Sequence, residues 1–266
     1  IETADLAGMG TASIRAMETE DVRALTTDQI VALNSAQLGA MSSTQVQGLS
    51  TDQIVAIETA DLRAMTTGQI QALSTTQVAA LTTDQITALT TAEVRVLNTA
   101  NVQALSTDQI VALDSNQVAS LTTAQVRALT TDQVAAIETA DLRAMGTAQV
   151  AVLKTEQVAA LTTDQITALT TAEVNVLGTA NVQAMSTDQV VALNSAQVAA
   201  LTTGQVRALT TSQVAALETA DLAGLNTTAI RAMETDDVKA LTTDQILALN
   251  SSQLSALSTG QIRALT

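Results

Sequence analysis

The stretch LTTDQITALTTAEVRVL, Leu81–Leu97, holds two consecutive copies of an eight-residue unit and the first residue of a third. With Leu81 as position 1, the large apolar residues stand at positions 1 and 6, separated by steps of five and then three. A continuous α-helix has about 3.6 residues per turn and would rotate its apolar face steadily under an eight-residue period, which excludes a long helix and a coiled coil. A continuous strand fails as well, because odd steps place successive apolar residues on opposite faces. The chain must therefore turn once per octad.

Outward from this stretch the same unit fills the chain. Cut from Ile1, it recurs 33 times without insertion or deletion, and Leu265 and Thr266 open the next copy. Position 1 is always Leu, Met or Ile, and position 6 is always Val, Ile or Leu. Position 3 is Ser or Thr in all 33 units. Position 5 is Gln in 21 units and Asp, Glu or Asn in ten more, with Ser13 and Ala229 as exceptions. Position 8 is Ala in 26 units. Self-similarity at a fixed period predicts a repeat array in which each unit contacts mainly its neighbours.

Charge placement separates one short helix per octad from one short strand. All 26 acids lie at positions 2, 4 and 5, and ten of the 11 bases at position 7, Lys154 being the exception. Acids in the first turn and bases in the last are what the helix macrodipole favours, at about 0.3–1 kcal/mol per charge. Pairs such as Glu20–Arg23 and Asp236–Lys239 fall three apart and are expected to face each other. Positions 6 and 1 share one helix face, as Ile30 and Leu33 do. The unbroken Ser/Thr rule makes position 3 the expected N-cap of a helix running from position 4 to the next position 1. The alternative cap lies one residue earlier, where Thr26 and Gln29 have the spacing of a capping box.

The predicted fold is all-α: a solenoid, or superhelical spiral, of very short helices, one per eight-residue repeat. The alternative is a β-solenoid, since Thr, Val and Ile favour strands. Its corners, however, want Gly, Asn or Asp at fixed places, and the ten Gly are scattered over positions 2, 4, 7 and 8. Helices of about six residues fall below the ~12–15 needed for stability alone, so each unit depends on adjacent turns. Leu, Met, Val and Ile are expected to line the axis, with Thr, Gln and charged residues outside. ETADLRAM recurs at Glu58–Met65 and Glu138–Met145, and ETADLAG at Glu2–Gly8 and Glu218–Gly224, 27 octads apart. That odd shift makes the single octad, not a two-octad hairpin, the equivalent unit. Residues 1–266 are read as one uninterrupted array, a fragment of a longer repeat region.

Composition excludes most chemistry. The chain has no Phe, Trp, Tyr, His, Cys or Pro. There is no thiolate or imidazole for catalysis, no usual zinc ligand set, no disulfide and no aromatic platform for bases or sugars. The formal charge of −15 disfavours nucleic acid as a partner. No run of 18 apolar residues exists, so no membrane insertion is expected. No catalytic, cofactor-binding or metal-binding residue is assigned, and no cofactor is implied. Thr-Thr pairs suggest ice binding, but capping explains them better. The densest acids, Glu20 with Asp21 and Asp236 with Asp237, lack a calcium-loop pattern and read as first-turn acids. The Met residues, all at position 1, read as core, not as soft metal ligands. The Gln column at position 5 suits bonding between adjacent turns.

The pattern L-[ST]-T-x-Q-[VI]-x-A-L, as in Leu81–Leu97, resembles octapeptide repeat tracts of very large proteobacterial surface or secreted proteins, some described as haem utilisation or adhesion proteins. No His, Cys or Tyr is present to hold haem iron. The resemblance covers the whole chain and implies an extended extracellular or cell-surface rod, stalk or filament, adhesin-like in character. A repetitive binding module for a protein or glycan partner is the second expectation. Self-association, end to end or lateral, is expected of such an array, and an enzyme is not.

Overall fold

The computed structural model describes residues 2–265; the core position Ile1 and the terminal Thr266 lie outside the described residues. It is all-α, with 33 short helices, one in each octad, and no strand among the described residues. The helices form two compact units, Ile1–Ile137 and Glu138–Thr266. The first runs from α1 (Thr3–Gly8) to α17 (Thr131–Ala136), the second from α18 (Thr139–Ala144) to α33 (Thr259–Ala264).

The helix boundaries differ from expectation by one residue. The helix spans positions 3–8, as in α11 (Thr83–Ala88), and the N-cap is position 2, not position 3. Thr82 Oγ1 accepts from Gln85 N at 3.2 Å while Gln85 Oε1 accepts from Thr82 N at 2.9 Å, a reciprocal capping box. Position 2 wins because position 5 can answer it; Thr83 at position 3 is the first helical residue. Position 1 is likewise not helical. Leu89 and Thr90, at positions 1 and 2, have φ/ψ of −62/137 and −74/159, close to polyproline II. Two extended residues make the corner between six-residue helices. No described residue has positive φ, so the corner has no need of glycine.

Within each unit the helices wind into a solenoid in which each helix packs on the third one along the chain. In the first unit α10 (Thr75–Ala80) lies between α7 (Thr51–Ala56) and α13 (Thr99–Ala104). In the second, α23 (Thr179–Ala184) lies between α20 (Thr155–Ala160) and α26 (Thr203–Ala208). Hydrogen bonds between coils span 25 to 31 residues, as for Thr87 to Ala112 and Gln85 to Ile54. One coil therefore takes between three and four octads.

The core is the expected pair of columns. Position 6 is sealed, as at Val78 and Ile86, and position 1 nearly so, as at Leu81 and Leu89. Position 5 departs from expectation. Its Gln residues are not on the outside: Gln85 is 2 % exposed and Gln117 1 %. A buried amide is tolerable only when its donors and acceptor are satisfied, and among the described residues no buried side-chain polar atom lacks a partner.

Candidate functional site

The chemistry of this molecule is concentrated in the buried Gln column. A helix of six residues leaves its last carbonyls without intrahelical partners. The Gln at position 5 supplies them from the coil above. Gln85 Nε2 donates to Ile54 O at 2.8 Å and to Ile57 O at 2.8 Å, the C-terminal carbonyls of α7 and its corner. In the second unit Gln205 repeats this with Val174 O at 2.7 Å and Leu177 O at 2.8 Å. One side chain thus closes the start of its own helix with Oε1 and the end of a helix one coil back with Nε2.

Substitutions in the column change this coupling in defined ways. Asn101 Nδ2 reaches one carbonyl, Leu73 O, at 3.0 Å. Glu93 keeps the capping half, its Oε2 accepting from Thr90 N at 2.7 Å. Asp has no N–H to give either carbonyl, and Asp61 and Asp221 accept from a hydroxyl instead. Ser35 Oγ donates to Asp61 Oδ1 at 2.5 Å, and Ser195 Oγ to Asp221 Oδ1 at 2.6 Å. At Asp237, burial pushes the carboxyl above its ordinary value; the bond from Glu234 N opposes this, and the charges of Glu234 and Asp236 add to it.

The other residues singled out in the sequence have structural places. Met41, Met65, Met145, Met185 and Met233 are buried in the position-1 column, whereas Met9 and Met17 are half-buried. Position-2 hydroxyls are engaged as caps, as at Thr82, Thr122 and Thr162. Neither Glu20–Arg23 nor Asp236–Lys239 closes to ion-pair distance, in contrast to Lys154 and Glu156 at 3.9 Å. Both expected pairs are exposed, where pairing gains little. Position 7 instead reaches to the next coil: Arg63 Nε donates to Ala88 O at 3.0 Å, Arg143 Nε to Ala168 O at 3.2 Å, and Asn175 Nδ2 to Ala200 O at 3.0 Å.

Among the open cavities of the surface are three lined by residues of a single unit. Two lie in the first unit, one of about 350 Å³ beside Met17, Asp21, Leu25 and Gln29, and one of about 260 Å³ beside Arg23, Ser50, Thr51 and Ser74. The third, about 330 Å³, lies in the second unit between Arg207 and Arg231. Among the described residues no group of three or more acids could hold a metal ion, and no helix is long and apolar enough to cross a membrane.

A family model described as the ALTTAQ repeat matches residues 1–35, 30–56, 54–91, 89–123, 111–136, 134–171, 171–203, 214–251 and 232–266. Comparison with curated proteins found no match.

Proposed function

The chain belongs to the ALTTAQ repeat family, and from that membership and the solenoid geometry we propose that it is a structural repeat protein, a segment of an extended extracellular rod, stalk or filament on a bacterial cell surface, with an adhesin-like role. The observation that carries this reading is the use of the buried polar groups. Gln85 and Gln205 spend their amides on the preceding coil, in the same way in both units, and leave nothing aimed at a ligand. A fold whose internal chemistry serves only to join one coil to the next grows by adding octads. Residues 1–266 are one array on this reading, part of a longer repeat region. End-to-end or lateral self-association of such arrays is part of this reading.

A second reading, a repetitive binding module for a protein or glycan, has one observation in its favour. Arg207 and Arg231, from adjacent coils, line the same open cavity.

Negative-stain electron microscopy of arrays cut to different octad numbers, with surface labelling of cells that produce the parent protein, tests the first reading. Rods whose length rises in proportion to octad number, on cells labelled from outside, support it. Compact particles of constant length, or a protein found only inside cells, would remove it.

A further inference from the structure

The Gln column is interrupted by single octads or pairs in most places, but in the first three octads and again inside the second unit it lapses for three in succession. Position 5 there is Asp221, Ala229 and Asp237, in α28 (Thr219–Gly224), α29 (Thr227–Ala232) and α30 (Thr235–Ala240). Three octads are most of one coil. The carbonyls they would serve belong to α24 (Thr187–Val191), α25 (Ser195–Ala199), α26 and their corners, and no side-chain amide reaches them: Val198, Leu201, Val206 and Leu209 receive none. The ladder resumes on either side, with Gln213 Nε2 on Val182 O at 3.0 Å and Gln245 Nε2 on Val214 O at 3.0 Å. What spans the gap is the Ser195–Asp221 bond together with apolar packing of Leu222, Ile230 and Val238.

We propose that this seam is a built-in joint, at which α28–α33 separate from the rest of the second unit as one block before their own last coil peels away. Peeling α31 (Thr243–Ala248), α32 (Ser251–Ala256) and α33 would break the bonds of Gln245, Gln253 and Gln261 to the coil beneath. Opening the seam breaks the Ser195–Asp221 bond and those Gln245 makes to Val214, Ala215 and Leu217. Apolar residues at positions 1 and 6 run through both interfaces, and what sets the seam apart is its missing amides. Asp237, buried beside Glu234 and Asp236, loosens the seam further. The lapse is also a repeated piece of sequence. METDDVKALTTDQI at Met233–Ile246 matches METEDVRALTTDQI at Met17–Ile30, and the three octads from Ile1 carry Asp5, Ser13 and Asp21 at position 5. A Gln-free coil recurring 27 octads apart divides a long array into segments joined by weak steps.

Native-state hydrogen exchange read by mass spectrometry on the full chain tests the joint. Residues 218–265 are expected to exchange as a block, with a step in protection of at least about tenfold near Glu218. A gradual loss of protection toward the last helix, with α28–α30 as protected as α24–α26, would overturn the proposal. The variant D221Q/A229Q/D237Q is expected to abolish the step, and its persistence in a folded variant contradicts the proposal. Should that variant lose its helical circular dichroism, Q109A/Q117A/Q125A in the first unit decides the matter. It is expected to create a new step there, and an unchanged exchange pattern would refute the role assigned to the amides.

Discussion

Ser195 Oγ donates to Asp221 Oδ1 at 2.6 Å across 26 residues of chain, joining two helices of adjacent coils, and Ser35 stands in the same relation to Asp61 at 2.5 Å. Both contacts pair an Asp in the Gln column with a Ser at position 3, where most octads carry Thr. Two distant sites with the same pairing make it a second kind of coil-to-coil link, one that takes over where the side chain at position 5 is a carboxylate with no N–H to donate to a carbonyl. Ser195→Ala should destabilise the protein by about 2 kcal/mol, the range for a hydrogen bond to a charged group, in denaturant unfolding. An effect indistinguishable from zero would show that the bond does not hold the coils together.

The amide column gives a stronger expectation. Gln85→Leu leaves the Thr82 N–H and the Ile57 carbonyl without their partner and takes one of two donors from Ile54 O, at a cost of about 3 kcal/mol. Gln47→Leu, at exposed position 7, should fall within about 0.5 kcal/mol of the parent. Equal effects of the two, measured by chemical denaturation, would remove the distinction drawn between the columns.

Capping is tested at position 2. Thr82→Ala removes the acceptor for Gln85 N and should cost about 1 kcal/mol. Thr82→Asn should be nearly neutral, because Asn98 and Asn226 already cap α13 and α29 in this way. The thermal midpoints of the two variants check the order.

Asp237 gives a pH dependence with a definite sign. Its carboxyl is raised above the ordinary value, so between the unfolded and folded values the native state binds more protons than the unfolded one. Its contribution is most favourable below the unfolded value and weakens as pH rises through the raised folded one. Asp237→Gln should therefore stabilise the protein at neutral pH, and the gain should shrink on acidification toward pH about 4. Denaturation midpoints of both proteins across that range measure it; a gain that grows on acidification has the wrong sign.

Glycines at the same octad position should respond oppositely. At Gly224 an added Cβ meets Ser195 O at an ordinary 3.8 Å, so Gly224→Ala should stabilise by about 0.5–1 kcal/mol through helix propensity. At Gly48 it would overlap Thr19 Cγ2, so Gly48→Ala should cost about 1–2 kcal/mol. Equilibrium unfolding of the pair of variants compares them directly.

Much of this fold is written in the octad. The apolar steps at positions 1 and 6 exclude any long regular element, and the sorting of acids before bases points to a short helix, as found in α11. The cap stands one residue before the expected position: the Ser/Thr rule at position 3 is the more regular signal, whereas capping depends on whether Gln at position 5 can answer. Thr83 and its equivalents begin the helix, and hydroxyls at that position, those of Ser35, Ser43 and Ser195, bond to the next coil at Asp61, Gly68 O and Asp221. The burial of Gln was not legible for a physical reason. Its partners, such as Ile54 O and Ile57 O, are backbone carbonyls, which leave no mark on the identity of the residues that bear them. The number of octads in a coil was hidden likewise, because every unit presents the same face and any stacking interval satisfies the apolar pattern.

The dependence of each helix on the coils around it is open to one decisive measurement, far-UV circular dichroism of a single-coil peptide, residues 81–112, beside the full chain. Six of eight residues in an octad such as Thr83–Ala88 are helical in the array, so the full chain should give a strong helical spectrum. The peptide, which has no coil above or below it, should give that of an unfolded chain. A peptide as helical per residue as the full chain would contradict the view that contacts between coils, and not the octads themselves, hold this structure together.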